Sequence, residues 1–97
     1  MNVTYSTKFE KDLKKIKDKS LKLKIENVII NVENANSISD ISNIKKLTGY
    51  QTAYRIRQGD LRIGLFISGK EAEFDQVKKR ADIYKYFPIL FKLLLKL

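Results

Sequence analysis

The stretch Ala53-Tyr54-Arg55-Ile56-Arg57-Gln58-Gly59-Asp60-Leu61-Arg62-Ile63-Gly64-Leu65-Phe66-Ile67 decides how this chain folds. Its opening alternates, with Tyr54 and Ile56 on one side and Ala53, Arg55 and Arg57 on the other. That period of two belongs to a strand. Gln58-Gly59-Asp60 supplies turn chemistry. A second strand follows, with Leu61, Ile63, Leu65 and Ile67 on one face and Arg62, Gly64 and Phe66 on the other. The apolar side of such a sheet needs a covering layer; the other side is expected to stay open, and it carries arginine.

Working outward, the covering layer lies upstream. Asn2–Tyr5 reads as a short first strand, and Ser6 is placed to cap a helix running to about Lys17. Phe9, Leu13 and Ile16 recur at helical spacing. Asp18-Lys19-Ser20 reads as a break. Ile25, Val28, Ile29 and Val32 then mark a second helix from Leu21 to about Glu33. So short a join predicts a helical hairpin. Asn34–Asn43 is rich in Asn and Ser and reads as a loop, pinned to the core by Ile38, Ile41 and Ile44. Downstream, Ser68-Gly69-Lys70 is another turn. A third strand over about Glu71–Lys78 alternates poorly, which leaves its register open. Arg80–Tyr86 predicts a short helix ending before Pro88, and Ile89–Leu97 a terminal one. With 97 residues and no linker or repeat, the expectation is a single α+β domain over 1–97. Its N-terminal helical hairpin packs on a twisted antiparallel sheet, and a short C-terminal helix follows.

Composition narrows the chemistry. The chain has no cysteine and no histidine. That removes disulfides, thiol nucleophiles, Cys- or His-ligated zinc and histidine acid–base catalysis. No metal and no cofactor is expected. Met1–Val3 leads into polar sequence rather than an apolar signal, and no apolar run approaches the ~20 residues of a membrane span, so a cytoplasmic protein is expected. Twenty Lys and Arg against eleven Asp and Glu give a net charge of +9, which favours polyanionic partners.

The arginines are not spread evenly. Eight of the sixteen lysines fall in the first 24 residues, whereas all four arginines, Arg55, Arg57, Arg62 and Arg80, fall in the sheet region. Arg55 and Arg57 share a strand face, Arg62 joins them across the turn, and Arg80 follows the third strand. Clustered guanidiniums suit a phosphate or a transition state with charge on nonbridging oxygens. The alternative is salt bridging to Asp60, Glu73, Asp75 or Asp82. Tyr54, Tyr84, Tyr86 and Phe66 offer aromatic surface for stacked bases, or simply packing.

Several short motifs in order carry a family resemblance. Lys46-Leu47-Thr48-Gly49, Tyr54-Arg55-Ile56-Arg57, Gly59-Asp60-Leu61-Arg62-Ile63-Gly64 and Val77-Lys78-Lys79-Arg80-Ala81-Asp82-Ile83-Tyr84-Lys85-Tyr86-Phe87-Pro88 together resemble the RelE/ParE toxin superfamily. The resemblance implies the toxin half of a type II toxin–antitoxin pair. RelE-like members cleave mRNA in the ribosomal A site with a basic cluster and a tyrosine. ParE-like members poison DNA gyrase, and some members are inactive. Carried over, Arg55 and Arg57 are RNA-binding positions. Arg62 and Arg80 are catalytic candidates for stabilising the scissile phosphate. Tyr84 resembles the tyrosine that stacks on the base, and it alternatively packs under the terminal helix. Lys79 stands where many close relatives have His and others Lys. It is either a proton-transfer group with its pKa lowered by crowded cations, or a further phosphate or ribosome contact.

The implied partners are mRNA on the ribosome and a cognate acidic antitoxin. Ile89–Leu97 is nearly all apolar, broken by Lys92 and Lys96, and either docks on the domain or awaits that antitoxin. Three functions follow: a ribosome-dependent mRNA endonuclease, a gyrase inhibitor, or a non-catalytic domain binding RNA or an acidic partner through the same face.

Overall fold

The computed structural model describes residues 1–88. The terminal helix expected over Ile89–Leu97 lies outside the described residues. The chain opens with strand β1 (Asn2–Tyr5), followed by helices α1 (Thr7–Lys15) and α2 (Lys19–Asn34). Both helices begin on caps. The Ser6 hydroxyl accepts from the Phe9 N–H at 3.1 Å, and the Asp18 carboxylate accepts from the Ser20 and Leu21 N–H groups. Asp18 therefore starts α2 rather than lying inside a longer break. A 3₁₀ turn at Ile38–Asp40 leads to β2 (Ile44–Lys46), β3 (Ala53–Gln58), β4 (Leu61–Ser68), β5 (Glu71–Lys79) and the short α3 (Ile83–Tyr86). The three-residue β2 is too short to show a period in sequence.

The sheet order is β1-β5-β4-β3-β2. β2 to β5 form the expected antiparallel meander, while β1 pairs with β5 in parallel, so the five-stranded sheet is mixed. The two helices carry the chain from β1 at one edge to β2 at the other, and the meander returns to lie beside β1. In the two-residue turn from β3 to β4, Gly59 has φ +57°, a conformation that side chains resist.

The helices pack on the face expected from the alternation. Phe9, Ile25, Val28 and Val32 meet Tyr54, Ile56, Ile63, Leu65, Ile67, Phe74 and Val77 in the main core. Hydrophobic burial there is the main force holding helix to sheet. β5 explains its own poor alternation. Gly64 pairs with Gln76 but Leu65 pairs with Phe74, so Asp75 is an extra residue in a bulge. The phase flips across it: Ala72 and Phe74 face the helices before the bulge, and Val77 does after.

One expectation is corrected. The face away from the main core is not wholly open, because α3 folds back over it. Phe87, Ile83 and Ala53 form a second small core there, with Leu47, Tyr50 and Phe66 packed around them. Only the half of the face toward the β3–β4 turn is left for the arginines.

Candidate functional site

The register of β3 against β4 builds the site. Arg57 stands directly opposite Arg62, and Arg55 opposite Gly64. Like charges directly opposite each other destabilise a strand pair, so this placement works against folding. Arg80 follows at the end of β5, where its N–H donates to the Asp60 carbonyl at 2.9 Å and brings it beside the same turn. Arg62 is the central member, only 8% exposed. Its Nη1 donates to the Gly59 and Leu61 carbonyls at 2.7 and 2.9 Å, which fixes the guanidinium beneath the turn. Burial pushes its pKa below the ordinary arginine value, and the charges of Arg80, Arg55 and Arg57 push it further down. The Tyr84 phenol pulls it back up. Four guanidiniums and one tyrosine thus share a single electrostatic neighbourhood.

The salt-bridge alternative fails among the described residues. None of the four arginines forms an ion pair there; the pairs are Lys78 with Asp12 and Lys85 with Asp82. Arg55 donates through Nη1 to the Asn43 carbonyl at 3.3 Å, and its buried Nε has no acceptor among the described residues. An unpaired buried donor costs about 1–3 kcal/mol, so this cluster is held against its own energetics.

Placement of the aromatic candidates divides them. Tyr54 is buried in the main core. Phe66 is half-buried and tilts against Phe87 at 5.1 Å between ring centroids. Tyr84 and Tyr86 are 53% and 48% exposed, so α3 presents both rings at the surface. α3 is tethered by the Gln76 amide, which donates to the Tyr86 carbonyl at 3.1 Å, and by Phe87, whose ring lies on Gly64.

Lys79 is not brought to the arginines. It pairs with Leu61, a main-core residue, so its side chain lies on the helix side of the sheet. The bulge at Asp75 sets this phase, and nothing in the sequence marks a bulge without the partner strand. Lys78 pairs with Arg62 instead and shares the arginine side. Its ammonium is 2.7 Å from Asp12 Oδ1 and 5.4 Å from the centre of the Tyr86 ring. Lys45, opposite Arg55, adds a further cation at the margin of the face. Both were illegible before the register was known. Asp12 is the other omission. It is a buried carboxylate on α1 whose Oδ2 also accepts the Val77 N–H at 3.0 Å. Among the described residues no acidic group of three or more is arranged to hold a metal ion, and no helix is long and apolar enough to cross a membrane.

No protein-family model matches the chain. Individual relatives do. The chain is 39% identical over 89 residues to Toxin RelE3 of Methanocaldococcus jannaschii, covering 91% of this chain and all of that protein. Its structure is similar to the toxin in a RelB-RelE antitoxin-toxin complex from Methanococcus jannaschii, with TM-score 0.73, 36% identity and coverage of 88% and 99% of the two chains. The archaeal RelE-RelB complex from Pyrococcus horikoshii OT3 shares the fold at TM-score 0.67 and 20% identity, over 81% of this chain and 93% of that one. A five-stranded sheet under an N-terminal helical hairpin and a relative of this identity along nearly all of both chains make this protein a member of the RelE-like toxin family, within the RelE/ParE superfamily.

Proposed function

We propose that the chain is the toxin of a type II toxin–antitoxin pair and acts as a ribosome-dependent mRNA endonuclease, restrained by an acidic antitoxin. The observation that carries the catalytic step is the buried Arg62 with Arg55, Arg57 and Arg80 around it and no carboxylate partner among the described residues. Such a cluster matches a pentacoordinate phosphorane better than a carboxylate, because the charge to be stabilised sits on nonbridging oxygens. RNA supplies its own nucleophile. The 2′-oxygen attacks phosphorus, the bond to the 5′-oxygen breaks, and the products are a 2′,3′-cyclic phosphate and a 5′-hydroxyl. The proton lost from the 2′-hydroxyl passes to solvent or a ribosomal group, and one returns to the 5′-oxygen.

Within this mechanism Arg62 and Arg80 hold the scissile phosphate, and Arg55 and Arg57 hold the strand. Tyr84, exposed on α3 beside Arg62, stacks on the base at the cut. By register Lys79 lies on the other side of the sheet, so this reading assigns it no proton transfer. The antitoxin half of the proposal is supported by the RelB-RelE complex formed by a relative at 36% identity, and by the +9 charge, which an acidic partner neutralises.

The test is primer extension on mRNA from programmed ribosomes incubated with the purified protein, with Arg80→Ala alongside. Cleavage in the A site that drops at least a hundredfold in the variant is the expected result, in line with loss of a charged transition-state contact. No cleavage by the unchanged chain sinks the endonuclease.

A further inference from the structure

A second cationic groove lies around the end of the sheet from the arginines. The turn between α1 and α2 stands against the ends of β4 and β5 there, enclosing a groove of about 460 Å³. Ile16, Leu21, Leu61 and Val77 form its floor. Four lysines and three aspartates surround it: Lys15, Lys17, Lys78 and Lys79 with Asp12, Asp18 and Asp82.

Counting like groups makes the groove look nearly neutral, but the partners say otherwise. Asp12 is 7% exposed and is engaged by the Lys78 ammonium and the Val77 N–H. Asp18 is engaged by the Ser20 and Leu21 amides as the cap of α2. Asp82 pairs with Lys85 at 3.5 Å, outside the groove lining. Asp12 and Asp82 are thus paired with lysines, and Asp18 keeps its charge at the cap of α2, which leaves lysine in excess around the groove. Lys15, Lys17 and Lys79 are exposed and have no carboxylate partner among the described residues. Three free ammonium groups around one concave surface are a site for a flexible polyanion.

The groove also borders the arginine cluster at the end of β5. Lys79 and Arg80 are consecutive residues at the end of β5, the first lining the groove and the second joining the Arg62 cluster. The step from Arg80 to Lys79 carries positive charge around the end of the sheet. We infer that Lys15, Lys17 and Lys79 form a second phosphate-binding subsite, which holds the backbone of the RNA strand after it leaves the arginine face. This rests on the proposed RNA function and extends it to a longer stretch of substrate. The RNA substrate proposed for the adjacent guanidinium cluster is what selects RNA as the occupant, and an acidic peptide is the competing outcome of the test.

Fluorescence anisotropy tests it, using a labelled 15-nucleotide single strand of 2′-O-methyl RNA, which has no free 2′-hydroxyl to attack. Affinity is measured across salt for the unchanged chain, for Lys15→Gln, Lys17→Gln, Lys79→Gln combined, and for a control of equal charge loss. The control combines Lys8→Gln, Lys11→Gln and Lys24→Gln, which are exposed on the same helices but do not line the groove. Three lost phosphate contacts flatten the slope of log K against log salt by about 2 and weaken binding about tenfold or more at low salt. The control keeps its slope and loses less than about threefold. Equal losses in the two triple variants overturn the subsite, as does absence of salt-dependent binding by the unchanged chain. Poly-L-glutamate is the competing arm. If it displaces the RNA as well as unlabelled RNA does, and only when the groove lysines are present, the groove belongs to an acidic protein and the inference is overturned. The ribosome assay judges the endonuclease separately, because a groove variant with intact arginines still cuts, at a higher KM.

Discussion

Arg62 is charged where burial and three other guanidiniums oppose the charge. Arginine tolerates this because its pKa starts so high that even a lowered value leaves it protonated at neutral pH. Lysine has no such reserve. In Arg62→Lys the same burial and the same Arg80, Arg55 and Arg57 act on an ammonium whose ordinary value is about 10.4. A cation with a lowered pKa is fully charged only below that lowered value, and its charge is lost as pH rises through it. As pH rises, RNA affinity of the variant therefore starts to fall before the ordinary lysine range is reached, while the guanidinium of the unchanged chain stays protonated. Binding of the 2′-O-methyl strand across a pH series, with circular dichroism to follow folding, checks it. Superimposable pH profiles would mean that Arg62 does not sit in the crowded field described. This residue was readable in the sequence, because Arg55, Arg57 and Arg62 are bound together by a strand period and a short turn. Lys78 and Lys79 were not. Which of the two faces the site depends on one extra residue, Asp75, that only the pairing with β4 exposes.

At the scale of elements, the hairpin and the meander followed from periodicity, and the attachments that tune them did not. Asp12 shows why. Helical spacing marks Phe9, Leu13 and Ile16 as the inward stripe and assigns a carboxylate to solvent. β1 stops pairing at Phe74, so α1 runs beside the uncovered edge of β5 and Asp12 accepts its Val77 N–H. Only the position of a helix against a strand end makes that carboxylate useful. The seating of α3 is hidden in the same way. Phe87 lies so close to Gly64 that a Cβ there would stand 2.7 Å from its ring carbons. A ring wedged between Ile83, Ala53 and Phe66 has nowhere to move without α3. Gly64→Ala is expected to cost about 1–3 kcal/mol through overpacking and to lower cleavage by shifting Tyr84. Phe87→Leu in the same chain relieves the clash, so the double variant is more stable than the sum of the two single losses by about 0.5 kcal/mol or more. Urea unfolding of the four proteins measures this cycle. Strict additivity would show that Gly64 and Phe87 are not coupled and that α3 is seated by other contacts.

For the molecule as a whole, the two cationic surfaces make stability depend on what is bound. A chain of net charge +9 repels itself, and its four guanidiniums have no carboxylate among the described residues to offset them. Part of the hydrophobic stabilisation of the main core is spent holding that arrangement together. Added salt screens the repulsion, so Tm rises modestly with NaCl in the free protein, opposite to a fold held by exposed ion pairs. A polyanion does more, because it binds the folded chain and is not matched by the unfolded one. At a hundred times Kd, such binding adds about 2.7 kcal/mol. At about 4–8 °C per kcal/mol for a domain near this size, the 2′-O-methyl strand raises Tm by roughly 10–20 °C. Arg62→Gln at the same oligonucleotide concentration gives a much smaller rise, because the variant loses affinity at the centre of the cluster. Differential scanning fluorimetry with matched ionic strength separates the specific rise from screening. If the strand leaves Tm unchanged, or raises both proteins equally, the arginine cluster is not what the polyanion binds, and the energetic cost of gathering it needs another cause.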